Sequence, residues 1–169
     1  LIFDGDPLLK AISIVGEGRV RLNISSDVPQ CLIAVRLNNI HPNGTVERIS
    51  YGVLNLSHRE SNENPDPLTS NKFYEVTVRL KGVAQVVPKG HQLRISVSTS
   101  YWPLIWPSPT PTVITIDPSR STVSLPILHN EDNFHNTRFL PPEHATPLKM
   151  TVKKVGNESR TFTHKFDDL

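Results

Sequence analysis

One cysteine in 169 residues, Cys31, leaves no partner for an internal disulfide. The fold must then rest on its own core, and the chain is expected in a reducing, cytoplasmic compartment. Charge is nearly balanced, with 18 Lys and Arg against 16 Asp and Glu, and no basic run concentrates the net +2. That excludes an electrostatic case for nucleic acid or an anionic membrane as partner. No apolar run approaches the roughly 20 residues that cross a bilayer, and no signal or transit peptide opens the chain. Glycine is sparse, and none of the eight sits in a P-loop, a dinucleotide fingerprint or a G-x-S-x-G elbow. The seven histidines make no H-x-x-x-H or H-x-H pair beside a carboxylate. A cupin-like metal enzyme therefore lacks its ligands, and neither metal nor cofactor is expected. No catalytic residue can be assembled from what remains.

What is present is a series of short alternating segments. Ile12 and Ile14 flank Ser13, and Val20, Leu22 and Ile24 alternate with Arg19, Arg21, Asn23 and Ser25, the period of a half-buried strand. Cys31 to Leu37 is apolar on both faces except for Arg36, which predicts a central strand. Pro42-Asn43-Gly44 reads as a hairpin turn with positive φ at Asn43 and Gly44, and the return strand covers about 46–56. A long polar loop follows over 57–71. Strands are then expected at 74–80, 84–87, 93–97, 113–116 and 123–125, with no 3.6-residue period before Leu128. Many short strands joined by turn chemistry predict an all-β antiparallel β-sandwich, of which the jelly roll is one standard form. The sandwich is expected over 1–128, a proline-rich extended strap over 129–147, and further strands of the same domain over 148–169. Both ends read as cut from something larger.

Both tryptophans lie in one segment, Tyr101-Trp102-Pro103-Leu104-Ile105-Trp106-Pro107-Ser108-Pro109. Its prolines lack the N–H a sheet ladder needs, so the aromatics sit on a stiff loop. Such a loop closes the core, meets a partner or lines a pocket, and the residues leave these three open. Tyr101, Trp102, Leu104 and Trp106 are the candidate contact residues. The other polar candidates have structural readings. His91 bonds a turn at a strand entrance, Arg94 pairs with a neighbouring strand, and Cys31 fills core. Glu60, Glu63 and Asp66 share a solvated loop, with a calcium site left open, and His129 and His135 lie six apart in the strap. Four Asn-x-Ser/Thr triplets start at Asn23, Asn43, Asn55 and Asn157; three lie in or beside expected strands and read as accidental.

Several blocks also carry a resemblance. Pro88-Lys89-Gly90-His91-Gln92-Leu93-Arg94-Ile95, followed by Ser98-Thr99-Ser100-Tyr101-Trp102-Pro103-Leu104-Ile105-Trp106-Pro107, resembles the non-catalytic C-terminal domain of the X-Pro dipeptidyl-peptidase and cocaine-esterase family of serine hydrolases. Asp6-Pro7-Leu8, Arg19-Val20-Arg21-Leu22, Gly52-Val53-Leu54-Asn55-Leu56-Ser57-His58-Arg59 and Arg138-Phe139-Leu140-Pro141-Pro142-Glu143 agree in order. The resemblance implies a jelly-roll, galactose-binding-domain-like sandwich. It further implies partners within the same polypeptide, an α/β-hydrolase catalytic domain bearing the Ser, Asp and His triad and a helical cap. The domain would pack on both and form part of a substrate-pocket wall. This chain departs from the family in lacking that catalytic part, so no catalytic residue transfers to it. A stand-alone carbohydrate-binding module is the alternative, and self-association into a homo-oligomer stays open.

Overall fold

The alternating segments become nine strands in a computed structural model that describes residues 1–129, 140–141 and 145–146. They are β1 (Ile2–Asp4), β2 (Ile12–Gly16), β3 (Arg19–Ser26), β4 (Leu32–Ile40), β5 (Val46–Asn55), β6 (Tyr74–Arg79), β7 (Val83–Val87), β8 (Gln92–Ser98) and β9 (Ile114–Ser124). The only helical element among the described residues is a 3-10 turn at Leu56–His58. Every strand pair is antiparallel. The pairs form a four-stranded sheet ordered β1-β8-β4-β5, a three-stranded sheet ordered β6-β3-β9 and a two-stranded ribbon of β2 and β7. The chain divides into Leu1–Asn133 and Phe134–Leu169, and all nine strands belong to the first unit. Most of the expected strap over 129–147, and all of the strands expected over 148–169, lie outside the described residues.

The period-2 pattern decides which side chains meet. Ile33, Val35, Leu37, Ile95 and Val97 from the four-stranded sheet join Val20, Leu22, Ile24, Val76 and Val78 from the three-stranded sheet in one buried cluster. Ile14 and Val87 add the ribbon to it. Burying each such side chain is worth about 1.5–3 kcal/mol. An exposed ion pair such as Arg21–Glu75, at 3.6 Å, is worth at most about 1 kcal/mol. The sandwich core therefore carries the stability. β4 is central, between β8 and β5, as its two-faced apolar pattern predicts.

Two local expectations change and a third gains detail. The β4–β5 hairpin forms, but Asn43 does not take positive φ; only Gly44 does, at +86°. Pro42 locks its own φ near −65°, which suits the first central position of a type I turn. Gly44 N accordingly donates to His41 O at 2.8 Å, and the Asn43 side chain accepts from Thr45 N at 3.0 Å. The strands expected at 113–116 and 123–125 are one strand, β9, which pairs with β3 on both sides of an irregularity at residues 118–121. There Pro118 has no N–H to give, Ser121 Oγ donates to Asp117 O at 2.7 Å, and Asn23 N donates to Ser121 Oγ at 3.1 Å. The long loop after β5 is polar yet pinned, because Leu68 is buried and its N donates to Pro29 O at 2.9 Å. Of the glycosylation-like triplets, that at Asn23 starts on a buried residue.

Candidate interaction surface

The loop between β8 and β9 carries the chain from one sheet to the other, and its C-terminal half is tied down. Leu32 N donates to Ser108 Oγ at 3.0 Å. Asp27 and Val113 exchange two bonds, Asp27 N to Val113 O at 3.2 Å and Val113 N to Asp27 Oδ1 at 2.9 Å. Ahead of these anchors, Leu104 N and Ile105 N both donate to Tyr101 O, at 2.9 and 3.1 Å, closing a tight turn. Its side chains do not close the core. Trp102 is 65% exposed, Leu104 52% and Trp106 76%. The two indoles meet edge to face, with centroids 5.1 Å apart and planes at 67°. The result is an exposed apolar hook on a turn closed by backbone bonds.

Tyr101, at the foot of this turn, lies instead over the outward face of the four-stranded sheet. Its ring meets Tyr51 at 5.6 Å, edge to face. Tyr51 faces Arg36 across the β4–β5 ladder. Around these two rings stand three cations. The Arg36 guanidinium is 5.2 Å from the Tyr101 centroid, Arg48 is 5.1 Å from Tyr51 and 5.9 Å from Tyr101, and Lys81 Nζ is 4.8 Å from Tyr51. Arg48 also donates to Tyr101 Oη. Cation–π contacts of this kind contribute from about 0.5 kcal/mol when exposed to about 2 when desolvated. They do not neutralise charge. The ion pairs among the described residues are Arg21–Glu75, His41–Glu47, Arg59–Asp66 and Arg94–Asp4; none includes Arg36, Arg48 or Lys81. Arg36 Nε is buried with no hydrogen-bond partner, a state that costs about 1–3 kcal/mol. Among the described residues, the only bond from the Arg36 guanidinium is a long one, Nη2 to Ser98 Oγ at 3.4 Å.

A β-bulge builds this cluster. Leu37 faces Ser50 and Asn38 faces Arg48, so Ile49 is an extra residue in β5. Strict alternation places residues three apart on opposite faces of a sheet. The extra residue brings Arg48 and Tyr51 onto the same face. Arg36, Arg48, Tyr51 and Lys81 were not among the candidates read from the sequence. The lone cation in an otherwise apolar strand was the one available signal, and it pointed to Arg36 alone.

The remaining candidates have local partners. His91 N donates to Pro88 O at 3.3 Å, so the histidine does bond a turn, and its Nδ1 lies 2.9 Å from Asn39 Oδ1. Its ring is 4.6 Å from that of His41, whose Nε2 is 3.5 Å from Glu47. Arg94 pairs with the neighbouring strand, gripping both oxygens of Asp4 at 2.6 and 2.7 Å. That hydrogen bond holds the Asp4 carboxyl below the usual carboxylate range, outweighing the upward push of desolvation. Cys31 is buried, and burial pushes its thiol pKa up, away from a reactive thiolate. Asp66 pairs with Arg59. Among the described residues no three His, Cys, Asp or Glu side chains are grouped to hold a metal ion, and no helix is long and apolar enough to cross a membrane.

Comparison with known proteins places this architecture. Residues 1–147 match the model of the X-Pro dipeptidyl-peptidase C-terminal non-catalytic domain. The cocaine esterase of Rhodococcus sp. (strain MB1 Bresler) is 24% identical over 103 residues, which are 61% of this chain and 18% of the esterase. The chain thus spans about a fifth of that curated relative. A solved aminopeptidase from a marine sediment archaeon, Thaumarchaeota archaeon, superposes with a TM-score of 0.68 at 18% identity, over 76% of this chain and 26% of its own. A solved alpha-amino acid ester hydrolase does so with a TM-score of 0.68 at 24% identity, over 76% of this chain and 25% of its own. Both structural likenesses are likenesses of fold. With the family model covering all nine strands, this chain belongs to the family of X-Pro dipeptidyl-peptidase C-terminal non-catalytic domains.

Proposed function

We propose that the chain is the accessory C-terminal domain of a serine hydrolase of α/β-hydrolase type acting on acyl esters or X-Pro peptides. In this reading the sandwich is a jelly roll of the galactose-binding-domain-like kind, and it packs on the catalytic and cap domains of the same polypeptide. Its aromatic hook meets those domains and forms part of the wall of the substrate pocket. The observation that carries the reading is the hook itself. An anchored turn exposing Trp102, Leu104 and Trp106 loses little conformational entropy on docking, and buried aromatic anchors of this type dominate interface energetics. The edge-to-face pair at 67° offers no flat double platform, which favours a protein contact over stacking on sugar rings. The single Cys31, buried and unpaired, supports a cytoplasmic enzyme.

In the full-length enzyme, the double substitution Trp102→Ala, Trp106→Ala is expected to lower kcat/KM at least about tenfold or Tm by several degrees, the loss of about 2 kcal/mol at an interface hot spot. Steady-state kinetics and a thermal melt read both. Wild-type values for both would remove the contact assignment. Saturable quenching of tryptophan fluorescence by a defined glycan would turn the assignment toward a carbohydrate-binding module.

A further inference from the structure

We propose that Arg36, Arg48 and Lys81, set around Tyr51 and Tyr101, form a docking pad for carboxylate side chains of the catalytic domain in the same polypeptide. The inference rests on the accessory-domain reading and adds the chemistry of the contact. Its first support is an internal contrast on one sheet face. Arg94 faces Asn38 and Ser96 faces Arg36 in the β4–β8 register, so the two arginines are close neighbours on the ladder. Arg94 has its fork filled by Asp4, with Nε and Nη2 each on a carboxylate oxygen. Arg36 carries the same planar fork with no carboxylate on it, and its Nε is buried without a partner. The cations open to a docking carboxylate beside it are the exposed Arg48 and Lys81, and an arginine fork is the geometry a carboxylate matches.

The second support is charge. Three cations share two phenol rings, and no acid among the described residues pairs with any of them. With a whole-chain balance of only +2, this is a local excess aimed at a complementary patch rather than a polyanion-binding surface. The third is continuity. Tyr101, which holds Arg36 and Arg48, is adjacent in sequence to Trp102 of the exposed hook. Exposed tryptophan beside arginine and tyrosine is the composition of a protein–protein interface. A free anion would need the cations and not the hook.

The test uses the full-length polypeptide and a carbodiimide, which joins an amine to a carboxylate as an amide only where the two are in contact. Lys81 serves as the natural amine, and Arg48→Lys supplies a second one at an exposed position of β5. Peptide mapping is expected to find Lys81, or the lysine introduced at 48, joined to an Asp or Glu preceding Leu1. Like-charge juxtaposition in Arg48→Glu should cut the Lys81 adduct at least about tenfold. Adducts to acids of residues 130–169, or to a second copy, would overturn the proposal by giving the pad a different occupant. Oxidative footprinting of Trp102 and Trp106 separates this from the reading beneath it. Protected tryptophans without adducts overturn the pad and leave the accessory domain standing; accessible tryptophans without adducts remove both.

Discussion

Arg94 and Asp4 show how one carboxylate settles one arginine. The grip is bidentate, spans strands β8 and β1, and lowers the Asp4 pKa. A carboxylate whose folded pKa is depressed stabilises the fold above its unfolded pKa, and that contribution is lost as pH falls through the folded value. Asp4→Asn is therefore expected to destabilise the chain at neutral pH, with the difference from wild type shrinking below about pH 4. Urea midpoints of the two proteins across that range check it; a gap that persists at pH 2 would mean the pair acts through packing instead. Alternation was enough to put Arg94 outward and opposite a neighbour. It could not say that Arg36, also outward, would lack one, because partners across a ladder come from distant parts of the chain.

At the scale of the elements, β5 approaches β6 closely at Gly52. Gly52 sits where an added Cβ would lie 2.1 Å from Arg79 O and 2.9 Å from Val78 Cγ1. Lys81 N donates to Tyr51 O at 2.9 Å beside it. The first clash is with backbone, which cannot swing aside, so Gly52→Ala should cost about 1–3 kcal/mol in the manner of an overpacked core. Chemical denaturation measures it, and a change below about 0.5 kcal/mol, the range of an ordinary surface substitution, would show that the two strands separate freely. Strand existence was legible throughout β2 to β8 from apolar pattern and turn chemistry. The backbone angle of Asn43 in the Pro42 turn and the joined halves of β9 were not. In each, a proline settles where the chain can bend or pair, and that competes with a reading based on side-chain polarity.

For the whole molecule, every buried core residue among the described ones lies between Ile14 and Val97, and the partly buried ones packed on them end at Ile127. A chain ending at Asn133 is accordingly expected to keep a cooperative unfolding transition within about 5 °C of the full chain, roughly 1 kcal/mol at this size. Near-UV circular dichroism during a thermal melt decides it; loss of the transition would make residues 134–169 part of the folding unit. By itself the sequence determined the all-β class, the inward faces of the strands and the family, since apolar alternation and the Gly90 to Pro107 block are local properties of the chain. The three-dimensional arrangement decided the rest. It left Trp102 and Trp106 exposed because the core fills without them. It also gathered Arg36, Arg48, Tyr51, Lys81 and Tyr101 on one face. A single bulged residue reverses which side a side chain occupies, and a loop some fifty residues away supplies the second ring. Local periodicity carries no record of either.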